Sequence, residues 1–172
     1  MNKKGVLLII GLIIVAGGVG YGLNGKNTDS SSTSSDKNTP GSSSQTASSG
    51  QTADYSGKGL TEFPKEVLSK KSTTVLDLSN NNLTGSLPAE IHDLVNLVEL
   101  NVSNNQMTGI PAEVGQLKKL KILNYANNKI TGMPNELGNL TQLEVLDLSG
   151  NNVSQQDLAQ IKAKLTNTQI KL

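Results

Sequence analysis

Between Thr73 and Val153 the apolar positions follow one template four times: apolar, polar, apolar, two small or polar residues, asparagine, one polar residue, apolar. The copies are Leu76-Asp77-Leu78-Ser79-Asn80-Asn81-Asn82-Leu83, Leu100-Asn101-Val102-Ser103-Asn104-Asn105-Gln106-Met107, Leu123-Asn124-Tyr125-Ala126-Asn127-Asn128-Lys129-Ile130 and Leu146-Asp147-Leu148-Ser149-Gly150-Asn151-Asn152-Val153, recurring every 23 or 24 residues. The alternation at the start of each copy predicts a short half-buried strand. A unit of this length cannot bury its apolar face alone, so the copies must stack, their strands side by side in a parallel sheet. Asn81, Asn105, Asn128 and Asn151 fall where the chain leaves the strand. Their amides both donate and accept, which suits them to buried backbone groups without ladder partners.

A second apolar pattern follows each strand: Leu87-Pro88-Ala89-Glu90-Ile91, Ile110-Pro111-Ala112-Glu113-Val114 and Met133-Pro134-Asn135-Glu136-Leu137. Proline at the opening and glutamate in the first turn predict short helical or 3-10 segments. Leu94, Leu117 and Leu140, then Leu97, Leu120 and Leu143, complete each copy's share of the core. The stack is expected to begin with a partial unit without a preceding strand. Leu60-Thr61-Glu62-Phe63-Pro64-Lys65-Glu66-Val67 matches the second half of a repeat, and Lys58 stands where the asparagine would be. It is expected to end in a cap: Leu158, Ile161 and Leu165 share one helical face, and Ile170 with Leu172 can form an edge strand.

This pattern resembles the leucine-rich-repeat family over about two thirds of the chain. The first copy, with Thr84-Gly85-Ser86-Leu87-Pro88, is similar to the plant-type form, and the later, shorter copies to the bacterial 23-residue class. The resemblance implies an α/β solenoid, with a parallel sheet on the concave side and short helical or 3-10 segments on the convex side. Strand alternation leaves three columns projecting from the sheet: Val75, Glu99, Ile122 and Val145; Asp77, Asn101, Asn124 and Asp147; Ser79, Ser103, Ala126 and Ser149. Many members of the family bind proteins or peptides on this face, which makes these twelve residues the candidate binding site. Tyr125 takes the buried position of Leu78, Val102 and Leu148, with its hydroxyl expected near an edge.

Upstream, Asn2-Lys3-Lys4 precedes an uncharged apolar run from Gly5 to Leu23. A basic stretch before an apolar core directs export, with the lysines retained inside. Residues 1–23 therefore read as a membrane-spanning anchor or a signal peptide. The lack of a sharp small-residue cleavage site favours the anchor, and cleavage would give a secreted form. In residues 27–56, 16 of 30 are Ser or Thr. Such a composition cannot bury enough apolar surface to offset ordering entropy. Residues 24–56 are thus expected to be a disordered stalk, with the repeat domain spanning 57–172 outside the cell.

Composition narrows the partners. Residues 57–172 hold eleven lysines and eleven acids, and the chain has no arginine, so no basic field gathers nucleic acid. The absence of cysteine removes disulfides and the disulfide-bonded caps of animal extracellular relatives, which points to a bacterial source. Catalysis has no constellation. His92 is the sole histidine, expected on the convex side, and Asp77 and Asp147 stand about three strand spacings, ~14 Å, apart, too far for paired acid and base work. No cofactor or metal is implied. The sequence reads as a membrane-tethered surface module contacting a protein, peptide or surface polymer. The alternative is a structural or decoy surface protein without a specific ligand.

Overall fold

The computed structural model describes residues 50–172. The apolar run 5–23 and the expected linker up to residue 49 lie outside the described residues. Among the described residues no helix is long and apolar enough to cross a membrane.

The alternating segments form the expected parallel sheet, but with six strands. In spatial order these are β1 (Gln51–Asp54), β2 (Thr73–Asp77), β4 (Glu99–Asn101), β6 (Ile122–Asn124), β7 (Val145–Asp147) and β8 (Gln169–Lys171). The register is that of the repeat, with Ala53, Leu76, Leu100, Leu123, Leu146 and Ile170 side by side. The extra residue of the first full copy coincides with a small second sheet, in which β3 (Thr84–Gly85) pairs with β5 (Gln106–Met107).

Strand β1 corrects the expected start of the stack. A strand does precede Leu60, within the stretch assigned to the linker, because Ala53-Asp54-Tyr55-Ser56-Gly57-Lys58-Gly59-Leu60 is a degenerate first copy. Ala53 and Tyr55 are buried at the two apolar positions, and the Tyr55 N–H donates to the Asp77 carbonyl at 2.8 Å. Lys58 has no amide oxygen to offer a further turn. Its ammonium instead donates to the Asp54 carbonyl and lies 4.6 Å from the centre of the Tyr55 ring, with Lys70 on the Tyr55 hydroxyl at 3.1 Å. At this edge of the described sheet, lysines thus surround the aromatic of the first copy.

The convex side carries four 3-10 turns, Lys65–Ser69, Ala89–Asp93, Ala112–Gln116 and Asn135–Asn139. Each follows a proline whose carbonyl accepts from the N–H three residues on, at Val67, Ile91, Val114 and Leu137. With φ fixed near its helical value and no N–H to lose, proline suits this entry. The turns pack closely enough that a Cβ on Gly115 would lie 2.3 Å from the Glu136 carbonyl oxygen.

Between the layers runs one continuous core, to which each full copy contributes the same set of leucine-type side chains. The C-terminal cap is helix α1 (Gln155–Lys164), which buries Leu158 and Ile161, with Leu165 buried just beyond it. The Ser154 hydroxyl caps its start, accepting from the Asp157 N–H, while the Asp157 carboxylate accepts from the Met133 N–H at 3.0 Å. The cap helix is thereby fixed to the preceding copy by its own first turn.

Candidate functional site

The asparagine ladder explains how the sheet is held. Each side-chain oxygen accepts from a backbone N–H of the preceding copy: Leu60 to Asn81, Leu83 to Asn105, Met107 to Asn128 and Ile130 to Asn151, at 2.9–3.0 Å. Each amide nitrogen donates to the preceding copy as well, Asn105 reaching the Leu78 carbonyl at 2.9 Å and Asn128 the Val102 carbonyl at 2.9 Å. The same nitrogens reach carbonyls of their own copy, at Val102 for Asn105 and at Tyr125 for Asn128. Asn81, Asn105 and Asn128 are buried and Asn151 half-buried, and all four fasten neighbouring turns. The residue before each of the first three, Asn80, Asn104 and Asn127, has φ of 54–57°, a left-handed conformation asparagine tolerates.

The concave columns differ from one another in ways the alternation does not reveal. Val75, Glu99, Ile122 and Val145 lie side by side on β2, β4, β6 and β7, all half-buried, and none makes a side-chain hydrogen bond or ion pair among the described residues. Thr52 and Gln169 extend this column to the edge strands.

The second column serves the fold as well as the surface. Asp77, Asn101, Asn124 and Asp147 each accept from the N–H two residues on, at 2.8–3.1 Å, as does Asp54 on β1. A short acidic or amide side chain satisfies the backbone where the strand ends. Only the remaining polar atoms of these residues face outward, and one of them, on Asn101, already reaches Asp77 at 3.4 Å.

The third column is where the expected site fails in part. Ser79 and Ser103 are buried, at 4% and 6% exposure, and Ala126 and Ser149 are half-buried. At this position the chain has begun to turn inward, and the carbonyls of Ser79, Ser103, Ala126 and Ser149 all accept from backbone N–H groups of neighbouring copies. The open concave surface therefore rests on the first two columns together with Ala126 and Ser149.

Its charge is uneven. Among the described residues the aligned concave positions carry four carboxylates, Asp54, Asp77, Glu99 and Asp147, and one lysine, Lys171. Lys171 approaches Asp147 to 3.4 Å. Burial pushes the Asp147 carboxyl up, but hydrogen bonds from Ser149 and the Lys171 ammonium outweigh it and hold it below the usual aspartate range. Bonds from the Ser56 N–H and hydroxyl lower Asp54. Glu99 behaves oppositely: burial raises its carboxyl above the usual glutamate range, and the charge of Asp77 pushes it further the same way.

Two residues outside the columns complete the picture. Tyr125 is wholly buried, and its hydroxyl has no hydrogen-bond partner, so the expectation that it reaches an edge is corrected. Its copy lies inside the stack, between those of Val102 and Leu148, and burial raises its phenol well above the ordinary tyrosine range. His92 lies in a convex turn, with Nδ1 2.7 Å from the Ala89 carbonyl oxygen and Asp93 alongside. No group of three or more His, Cys, Asp and Glu among the described residues is placed to hold a metal.

The fold and the sequence both have known counterparts. A leucine-rich-repeat protein of Leptospira interrogans superposes with a TM-score of 0.58 at 35% identity, over 66% of this chain and 34% of that one. The plant peptide hormone receptor RGFR1, solved in complex with RGF2, gives 0.56 at 33% identity, over 64% of this chain and 18% of the receptor. Receptor-like protein 32 of Arabidopsis thaliana is 42% identical over 50 residues, 29% of this chain. The chain thus spans between 6% and 34% of the length of these proteins. The fold is one typical of receptor and protein-binding modules, and residues 57–169 match the family model for a leucine-rich repeat region. Repeat period, asparagine ladder, sheet and sequence match coincide, and the chain belongs to the leucine-rich-repeat family.

Proposed function

We propose that this protein is a cell-surface binding module that takes a protein, a peptide or a surface polymer on its concave sheet. The observation that carries this is the first column. Val75, Glu99, Ile122 and Val145 are half-buried on the open face of the sheet and none has a hydrogen bond that the fold requires. Peptide capture by a structurally similar plant hormone receptor supports the same reading. The apolar run 5–23 tethers the module to the cell membrane with the repeats outside, joined by the Ser/Thr-rich stretch that follows.

Area sets the affinity. Six strands at ~4.8 Å spacing, each about three residues long, offer on the order of 200–300 Å² of concave sheet. A stable interface buries ~800 Å² per partner and relies on aromatic and arginine anchors. The aligned sheet positions contain neither, so binding by the sheet alone is weak and gains from several copies acting together.

The test is capture of envelope and extracellular material by the parent protein beside a Val75→Arg, Ile122→Arg double variant. These substitutions crowd and charge the column without touching the asparagine ladder or the second-column turns. A partner held by the parent and lost by the folded variant supports the reading. Identical capture by both favours a structural or decoy role.

A further inference from the structure

Within that proposed binding role, which this inference requires, we infer that the concave sheet selects an extended peptide carrying a basic side chain and an aliphatic one two positions apart. Strand order and charge lead there. On β2 and β4, Asp77 and Glu99 carry the two sheet carboxylates that have no cation against them among the described residues, whereas Asp147 holds Lys171 and Asp54 has Lys58 nearby. The next two positions of Glu99's own column are Ile122 and Val145, half-buried and adjacent. That row therefore passes from Glu99, with Asp77 in the neighbouring column, to an apolar pair.

The spacing fits an extended chain laid across the strands. From Glu99 to the midpoint between Ile122 and Val145 is one and a half strand spacings, ~7 Å, and side chains on one face of an extended peptide repeat every ~6.6 Å. A lysine or arginine centred on Glu99 thus places the residue two positions along over the apolar pair. Burial raises the Glu99 carboxyl, and the charge that adds to this, Asp77, is of the same sign, in keeping with a site lacking its counter-charge. The intervening peptide residue points to solvent and is free to vary.

The full chain in nonionic detergent is titrated against fluorescein-labelled decapeptides in a Ser/Gly background, read by fluorescence anisotropy. The probes carry Lys-x-Leu, Glu-x-Leu, Lys-x-Ser or adjacent Lys-Leu, with detergent alone as blank. We expect Lys-x-Leu to bind about tenfold more tightly than each of the other three, and less tightly as salt screens the contact. An Asp77→Asn, Glu99→Gln variant keeps the acceptor for the Ser79 N–H and should lose that preference, with circular dichroism checking its fold. Equal or better binding of Glu-x-Leu, an unchanged preference in the variant, or no binding of Lys-x-Leu at 1 mM (on the order of the weakest specific contacts) overturns the inference. If it falls while the parent still captures a partner that Val75→Arg, Ile122→Arg loses, the binding role stands and only the peptide chemistry is wrong.

Discussion

Replacing Tyr125 with phenylalanine should stabilise the protein. The tyrosine is fully buried in mid-stack and its hydroxyl has no partner, so folding strips the group of water and returns nothing. An unsatisfied buried polar group costs ~1–3 kcal/mol, and phenylalanine keeps the ring that fills the site. Taking the low end, the gain is about 1 kcal/mol. With unfolding entropy of ~2.1 cal/mol/K per residue over a folded unit of about 120 residues, this is a rise of ~4 °C in Tm. A second signature lies at high pH. Burial raises the folded-state pKa of Tyr125 above its unfolded value, so above pH ~10 the unfolded state binds fewer protons and parent stability falls as pH rises. The phenylalanine variant lacks that fall, and its advantage should widen by ~1.4 kcal/mol per pH unit as the alkaline limb is entered. Tyr125→Leu, matching Leu78 and Leu148, also removes the hydroxyl but leaves unfilled volume, and should be less stable than Tyr125→Phe by ~1–3 kcal/mol. The assay is urea unfolding followed by circular dichroism at pH 7 and through pH 9–11. A phenylalanine variant less stable than the parent, with the same alkaline slope, would refute the reasoning and mean that the hydroxyl is satisfied in solution.

Asn105→Ala should cost ~3–5 kcal/mol in urea unfolding, because it strands the Leu83 N–H and several buried carbonyls of two copies; a loss below 1 kcal/mol would contradict the ladder's role. Glu99→Gln should raise stability at pH 7: the raised folded pKa means the penalty on the ionised form is absent below pH ~4, appears as pH rises through the folded value and persists at neutrality. Its stability advantage should therefore vanish in melts at pH 3, and an advantage independent of pH would count against it. Gly115→Ala should destabilise by ~1–3 kcal/mol, since its Cβ meets the Glu136 backbone, while Gly109→Ala, with its nearest such contact at 4.0 Å, should be neutral or slightly stabilising in the same thermal melts.

The repeat was legible because it is written redundantly. Four copies share one pattern, each position is constrained by stacking on identical neighbours, and a side chain at Leu100 meets Leu76 and Leu123 by translation alone. Strand β1 escaped the template because alanine and lysine occupy its first apolar and asparagine positions amid Ser and Gly. Counting back 23 residues from Leu76 does reach Ala53, with Tyr55 and Leu60 at the following apolar positions, so a fixed period was the available signal. The concave columns were only half legible. Period-two alternation selects the face of a strand, but Ser79 and Ser103 sit where the strand has ended and the chain bends inward.

By itself the sequence determined the solenoid, its asparagine fasteners, its convex prolines and its capping helix, because these arise from local pattern and repetition. Only the tertiary structure decided which polar side chains remain free. One oxygen of each second-column side chain is taken by the backbone N–H two residues away, Lys171 is brought beside Asp147 from 24 residues along the chain, and Glu99 is left next to Asp77 without a cation among the described residues. Tyr125 likewise looks interchangeable with leucine in the pattern, and only packing on both sides isolates its hydroxyl. The physical reason is the same in each case: periodicity fixes where a side chain points, whereas its hydrogen-bond partners, charge neighbours and solvation depend on the copies stacked against it.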